Sequence, residues 1–354
     1  MFQPFMIFFL LSSGLFLGWS LGANDAANIF GTAVGTKMVR FSVAALIASV
    51  FVILGAVSSG AGASETLGKL GSINALPGAF TVALSAALTV MWLNKLRLPV
   101  STSQAIVGAI LGWNLYAQLP TDYGSLSKIV STWVFCPVLA AFIAAILYFL
   151  TKYMINKLPI SIIRMDAYTR SALIIVGAFG AFSLGANNIA NVMGVFVPIS
   201  PFPEKEIFML HFSSAQMLFL LGGIAISVGI VTYSKGVMQT VGSDIYMLSP
   251  VAALIVVLSH SIVLFVFASE ALKFWLTSRG LPSFPLVPVS SSQAVVGAVL
   301  GIGLAKGGRN VKYSLLGKIS LGWIATPVVS GISCYILLFL MQNIFMFEVV
   351  RQAV

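Results

Sequence analysis

The sequence predicts an all-α polytopic membrane protein of two inverted-topology repeats, with interrupted or re-entrant helices and about 10–12 helical membrane segments. Three observations predict it. Of 354 residues, 59% are hydrophobic and only 8% charged, and the mean hydropathy is +1.03. A soluble globule cannot cover its surface with so little polar material, and neither a disordered chain nor a disulfide scaffold has this composition. Ten apolar segments recur along the chain, each near the ~20 residues that cross a bilayer as a helix. The polar stretches between and within them occur twice, in the same order.

The first five segments run at 5–24, 41–61, 75–93, 99–118 and 129–151, the second five at 171–195, 207–232, 248–272, 286–304 and 314–341. The first is not expected to be a cleaved signal, because no basic region precedes it and it runs straight into a polar motif. Several segments hold Gly or Pro and are expected to be broken or re-entrant. Cys136 and Cys334 lie in apolar runs and read as buried free thiols. When the loops are alternated between two sides, the side away from the N-terminus carries 13 Lys and Arg and the N-terminal side 6. The positive-inside rule then makes the richer side cytoplasmic, with both termini extracellular, in a plasma or inner membrane. The net charge of +10 is accounted for by these loops, without nucleic acid.

The repeat is sharpest where the chain is polar. Ser20–Asn28 (SLGANDAAN) and Ser183–Asn191 (SLGANNIAN) share seven of nine residues, and Pro99–Gly112 and Pro288–Gly301 share eleven of fourteen. This divides the chain into a first repeat over 1–155, a basic cytoplasmic linker over 156–164 and a second repeat over 165–354. Five segments per repeat is an odd number, so the second repeat enters the membrane from the opposite side. Inverted repeats interrupted at matching positions are the signature of a secondary transporter.

Three paired constellations carry the chemistry. Gly22 to Asn28 and Gly185 to Asn191 are expected to form unwound turns, since Gly lets the backbone leave helical geometry. Free carbonyls at Ala23 and Ala186, with Asn24, Asn28, Asn187 and Asn191, would offer oxygens to a small cation. Asp25 is the one acid in this pair, opposite Asn188; a charge inside a membrane segment is costly and marks function. Ser101, Thr102, Ser103 and Gln104, and Ser290, Ser291, Ser292 and Gln293, follow a proline at a helix start. There, hydroxyls and unpaired N–H groups beside the positive dipole end make an anion cradle without Lys or Arg. Glu65 and Thr66, matched by Gln239 and Thr240, form a weaker pair that fits a cation or a helix cap equally. His211 and His260 have no repeat partners and read as satisfied polar residues. No nucleotide fingerprint or transition-metal cluster is expected.

These residues resemble the inorganic phosphate transporter (PiT) family: GANDAANIFGTAVGT at 22–36, GANNIANVMG at 185–194, and the paired PVSTSQA and PVSSSQA segments. The resemblance covers essentially the whole chain and implies an inverted-repeat symporter of inorganic phosphate, coupled to Na⁺ or to H⁺, the latter sometimes with a metal–phosphate complex. The chain lacks the long central loop of many eukaryotic members and has Asn188 where a second Asp often sits. The expected function is Na⁺–phosphate symport, with no enzymatic activity and no organic cofactor. Phosphate would contact Asp25, Asn188, Ser101, Thr102, Ser103 and Ser290, Ser291, Ser292. Na⁺ would be held by the Ala23 and Ala186 carbonyls with Asn24, Asn28, Gln104, Asn187, Asn191 and Gln293. The expected partners are phosphate, Na⁺ and the lipid bilayer, with a homodimer left open. H⁺-coupled symport, a membrane-embedded phosphatase and an anion channel are the alternatives. A phosphatase would need a base and cationic clamps beside the serines, and a channel rings of Lys or Arg.

Overall fold

The computed structural model describes residues 4–95, 100–157, 161–207, 210–240, 248–308 and 313–351. Among these residues the first half supplies α1 (Pro4–Gly35), α2 (Phe41–Ser59), α3 (Ala61–Leu70), α4 (Leu76–Lys95), α5 (Thr102–Ala117) and α6 (Tyr123–Lys157). The second half supplies α7 (Ile162–Met193), α8 (Ser214–Thr240), α9 (Pro250–Val266), α10 (Glu270–Thr277), α11 (Ser291–Ala305) and α12 (Tyr313–Asn343). A 3-10 turn (Gly194–Ile199) and a small antiparallel hairpin, β1 (Lys205–Ile207) and β2 (Leu210–Phe212), join α7 to α8. Seven of the described helices are long and apolar enough to cross a bilayer, and α9 with α10, bent by 69°, makes an eighth span if counted as one. The chain is thus a multi-pass membrane protein.

The two halves exchange helices. α1 packs along α8 and α7 along α2; α5 packs along α12 and α11 along α6. Glycines at matched positions allow these approaches. A Cβ on Gly22 would strike the Ile226 carbonyl and one on its mate Gly185 the Val52 carbonyl. Likewise Gly108 lies against Pro327 and Gly297 against Pro137, the prolines themselves being mates inside α12 and α6. Packing without side chains is how helices associate in lipid, where no hydrophobic force separates helix from solvent. α6 and α12 turn apolar side chains outward at heptad spacing, Phe135, Phe142 and Phe149 on one and Leu321, Val328 and Tyr335 on the other. α4 and α5 are instead largely buried.

Two expectations are corrected. The motifs at Gly22–Asn28 and Gly185–Asn191 are not unwound; both lie inside uninterrupted helices. Their alanines favour helix, and their glycines serve close approach instead of a break. The carbonyls of Ala23 and Ala186 are therefore occupied by helical bonds. The apolar run expected from 207 begins in the hairpin, with Ile207 ending β1 and Leu210–Phe212 forming β2, and α8 starts only at Ser214. Ser213 and Gln216 fix that start as a capping box: the Gln216 amide donates to Ser213 Oγ at 3.2 Å and the Ser213 amide to Gln216 Oε1 at 2.9 Å.

Candidate functional site

α5 and α11 are short, and their N-termini meet. Ser101 caps α5 by accepting from the Gln104 amide at 3.3 Å, and Ser290 caps α11 by accepting from the Gln293 amide at 3.3 Å. The next hydroxyls cross between the halves. Ser103 Oγ donates to the Val289 carbonyl at 3.0 Å, and Ser292 Oγ donates to the Val100 carbonyl at 3.1 Å. Each bond is the repeat image of the other, so a local two-fold axis runs through this junction. Ser290 and Ser292 hydroxyls lie 3.1 Å apart. Ser101, Thr102, Ser103, Ser290 and Ser291 are buried. Pro99 lies outside the described residues.

The asparagines of α1 and α7 brace this junction from the opposite half. Asn28 Nδ2 donates to Ser291 Oγ at 2.9 Å, and its mate Asn191 donates to Ser103 Oγ at 2.8 Å. Asn191 also donates to Asn188 Oδ1 at 3.1 Å. Asn187 grips the irregular segment leading into α11, donating to the Val287 carbonyl at 3.0 Å and accepting from the Val289 amide at 2.8 Å. Its mate Asn24 donates only to the Ser20 carbonyl one turn back, at 2.9 Å. Asp25 is half-buried and has no hydrogen bond or ion pair among the described residues.

Sequence reasoning missed His260. It is fully buried in α9, and its Nε2 lies 2.9 Å from Ser291 Oγ, the hydroxyl that Asn28 holds. The signal was the polar triplet Ser259-His260-Ser261 in an otherwise apolar run. Lack of a repeat partner had set it aside.

Five of the thirteen buried side-chain polar atoms without a hydrogen-bond partner among the described residues belong to these motifs and to His260: Gln104 Oε1, Gln293 Oε1, Asn191 Oδ1, Asn188 Nδ2 and His260 Nδ1. A native protein leaves few such atoms, and a cluster of them points to groups that engage something else. Three are amide oxygens, suited to a hard cation. Two convergent helix N-termini with hydroxyls suit an anion.

Glu65 and Thr66 lie elsewhere. Glu65 is exposed and pairs with Lys69 at 2.6 Å, whose hydrogen bond and charge hold its carboxyl below the usual range. Thr66 Oγ1 donates to the Leu286 carbonyl at 2.6 Å, just before the segment that Asn187 grips. Gln239 is exposed at the end of α8, and the side chains of Thr240 and His211 lie outside the described residues.

The model of the phosphate transporter family matches residues 21–168, 161–332 and 271–353. A Methanocaldococcus jannaschii protein named "Putative phosphate permease MJ0630" is 28% identical over 91% of this chain and 93% of its own length. A Pyrococcus abyssi protein named in the same way is 25% identical over 93% of this chain and 96% of its own. The solved structure of "The sodium-dependent phosphate transporter" has the same fold, with a TM-score of 0.72 at 23% identity, covering 94% of this chain and 99% of that one. By the extent of the family match, which runs through both halves and all the motifs described, the chain belongs to the phosphate transporter family and is a transporter, not an enzyme.

Proposed function

We propose that the chain imports inorganic phosphate across a cell membrane by symport with Na⁺. The observation that carries this is the meeting of the α5 and α11 N-termini, with their hydroxyls, beside a cluster of unpartnered amide oxygens. Phosphate would take donors from Ser101, Thr102, Ser103 and from Ser290, Ser291, Ser292, with Asn188 Nδ2 adding a donor. Asp25 would accept a proton from a protonated phosphate or balance a bound cation. Na⁺ would take Gln104 Oε1, Gln293 Oε1 and Asn191 Oδ1, with Asn24, Asn28 and Asn187 near it. The carbonyls of Ala23 and Ala186 have no part in this assignment. A cation beside the anion offsets its desolvation, which is the basis of coupling.

The repeats over 1–155 and 165–354 are units of symmetry in this reading, not separately folded bodies. Residues 158–160 of the linker lie outside the described residues. Extracellular termini are supported by the loop charges. The start of α1 and the C-terminal segment also meet the start of α4: Phe9 stacks on Phe80 at 5.3 Å, and Arg351 pairs with Asn74 through two bonds of 2.8 and 3.0 Å.

Proton coupling is the second reading, and one observation favours it. His260 touches the Ser291 hydroxyl, which puts a titratable group at the cradle, and Asp25 lies one turn before Asn28 on α1. Uptake of ³²P-phosphate into proteoliposomes under imposed gradients separates the readings. Na⁺ symport predicts uptake that needs an inward Na⁺ gradient. Uptake that survives replacement of Na⁺ by choline and collapses with a protonophore establishes proton coupling instead. No uptake under either gradient refutes both.

A further inference from the structure

Apart from the cradle, a polar cleft of about 340 Å³ lies on the face where α3, α6 and the segment between α10 and α11 come together. Its charged lining is Glu65, Lys69, Lys128 and Lys273, with hydroxyls from Thr66 and Ser283. Lys69 is neutralised by Glu65 at 2.6 Å. Lys128 and Lys273 have no ion pair among the described residues. Two other carboxylates stand near. Asp122 is turned to its own loop, accepting from the Gly124 amide at 2.9 Å and the Ser125 hydroxyl at 2.6 Å. Glu270 packs beside Gly62 at the start of α10.

The cleft is tied to the cradle by one irregular segment. Its wall, Ser283 to Leu286, continues directly into Val287 and Val289, which Asn187 grips, and Thr66 holds Leu286. The cleft therefore adjoins the α11 cap, and its lysines belong to the sparsely basic N-terminal side of the chain. Lys273 also acts through space on Glu65 and Lys128 on Asp122, but neither forms an ion pair with them, so both ammonium groups stay available to an oppositely charged solute in the concave wall.

We propose that this cleft is an outer binding vestibule for a small tetrahedral oxyanion, held by Lys128 and Lys273 with Ser283 as a further donor, from which phosphate passes to the cradle. It rests on the transport reading for the passage step but not for the binding step. The vestibule acts by electrostatic capture, so its contribution is to arrival and not to the turnover of bound substrate.

The test has two arms. In wild-type protein, a membrane-impermeant acylating ester labels surface lysines, and mass spectrometry follows each site. Phosphate at about twice its dissociation constant should slow labelling of Lys128 and Lys273 by about threefold relative to chloride at equal ionic strength, with Lys152 on the opposite side unaffected. In proteoliposomes, the double variant Lys128→Gln/Lys273→Gln should raise KM for phosphate about threefold to tenfold at low ionic strength and leave kcat unchanged. That difference should shrink when choline chloride at fixed Na⁺ brings the salt to about 1 M, where the Debye length is about 3 Å. Lys128→Arg/Lys273→Arg should behave as wild type. Equal labelling in phosphate and chloride, or a KM that does not move, overturns the vestibule. The labelling arm needs neither a variant nor transport, so it decides the vestibule even if wild-type uptake is absent, a result that would refute the transport reading instead.

Discussion

Asn187→Ala tests how the cradle is held. The Asn187 side chain makes two buried hydrogen bonds to the segment before α11, donating to the Val287 carbonyl at 3.0 Å and accepting from the Val289 amide at 2.8 Å. Alanine removes both and leaves two buried backbone groups without partners, each costing about 1–3 kcal/mol. The expected loss is therefore about 2–6 kcal/mol of local stability. The repeat mate supplies an internal control. Asn24 is half-buried and bonds only to the Ser20 carbonyl, which already accepts a helical bond, so Asn24→Ala should cost no more than about 1 kcal/mol. Thermal denaturation of the purified protein in detergent should rank Asn187→Ala well below Asn24→Ala, which should lie close to wild type. Asn187→Asp keeps the acceptor for Val289 but sets an oxygen against the Val287 carbonyl, and should fall near the alanine variant. Equal midpoints for the two alanine variants would refute the argument that this amide clamps the segment.

Asp25→Asn should leave the protein folded, since Asn occupies the matched position 188, yet concentrative phosphate uptake should fall severely; unchanged uptake and ion dependence remove Asp25 from the mechanism. Gln104→Ala and Gln293→Ala delete amide oxygens that have no hydrogen-bond partner, so each should raise the Na⁺ concentration for half-maximal uptake more than it alters phosphate affinity at saturating Na⁺. By linkage, phosphate and Na⁺ must tighten each other's binding by one factor, measurable by calorimetry in both orders of addition. Gly22→Ala should lower the unfolding midpoint strongly, because its Cβ meets the Ile226 backbone, an overpacking cost of about 1–3 kcal/mol or more. Gly236→Ala, with open space around it, should be neutral or stabilising.

What the sequence made legible was whatever the repeat or a local rule encodes. Ser101 and Ser290 read as helix starts because Pro and three hydroxyls precede an apolar run, and both became caps. The start of α8 was also written locally, in the Ser213–Gln216 capping box, but the apolar run upstream concealed it. Gly22 and Gly185 were misread because a glycine required for a neighbour's backbone looks, in one dimension, like a glycine required for a bend. Only the partners Ile226 and Val52, far along the chain, distinguish the two. His260 was missed for a related reason. Its meaning comes from Ser291, brought to it by tertiary packing, and the symmetry that guided the search has no histidine at the matched position.

The seam that forms the cradle also constrains how it can open. Among the described residues, four hydrogen bonds from N–H and O–H donors join the halves there, beside a weak one from the Cys136 thiol to the Ser290 carbonyl at 3.7 Å: Asn28 to Ser291, Asn191 to Ser103, Ser103 to Val289 and Ser292 to Val100. At about 0.5–1.5 kcal/mol net each, the four tie the α5 and α11 starts to each other and to α1 and α7 by about 2–6 kcal/mol, comparable with the ~5.5 kcal/mol that carries a two-state equilibrium from 1:99 to 99:1. On the transport reading the same hydroxyls must serve the ligand. Phosphate therefore competes with the seam for Ser103 and Ser292, and its binding energy is applied where the halves part. Ser103→Ala and Ser292→Ala should then have two effects at once: phosphate affinity falls about tenfold to a hundredfold per lost donor, and the ligand-free seam loosens. Hydrogen exchange over residues 100–104 and 288–293 should be faster in the double variant than in wild type, and phosphate should change exchange in wild type over those same segments. If phosphate alters exchange only elsewhere, the seam and the binding site are different places and the cradle assignment is wrong.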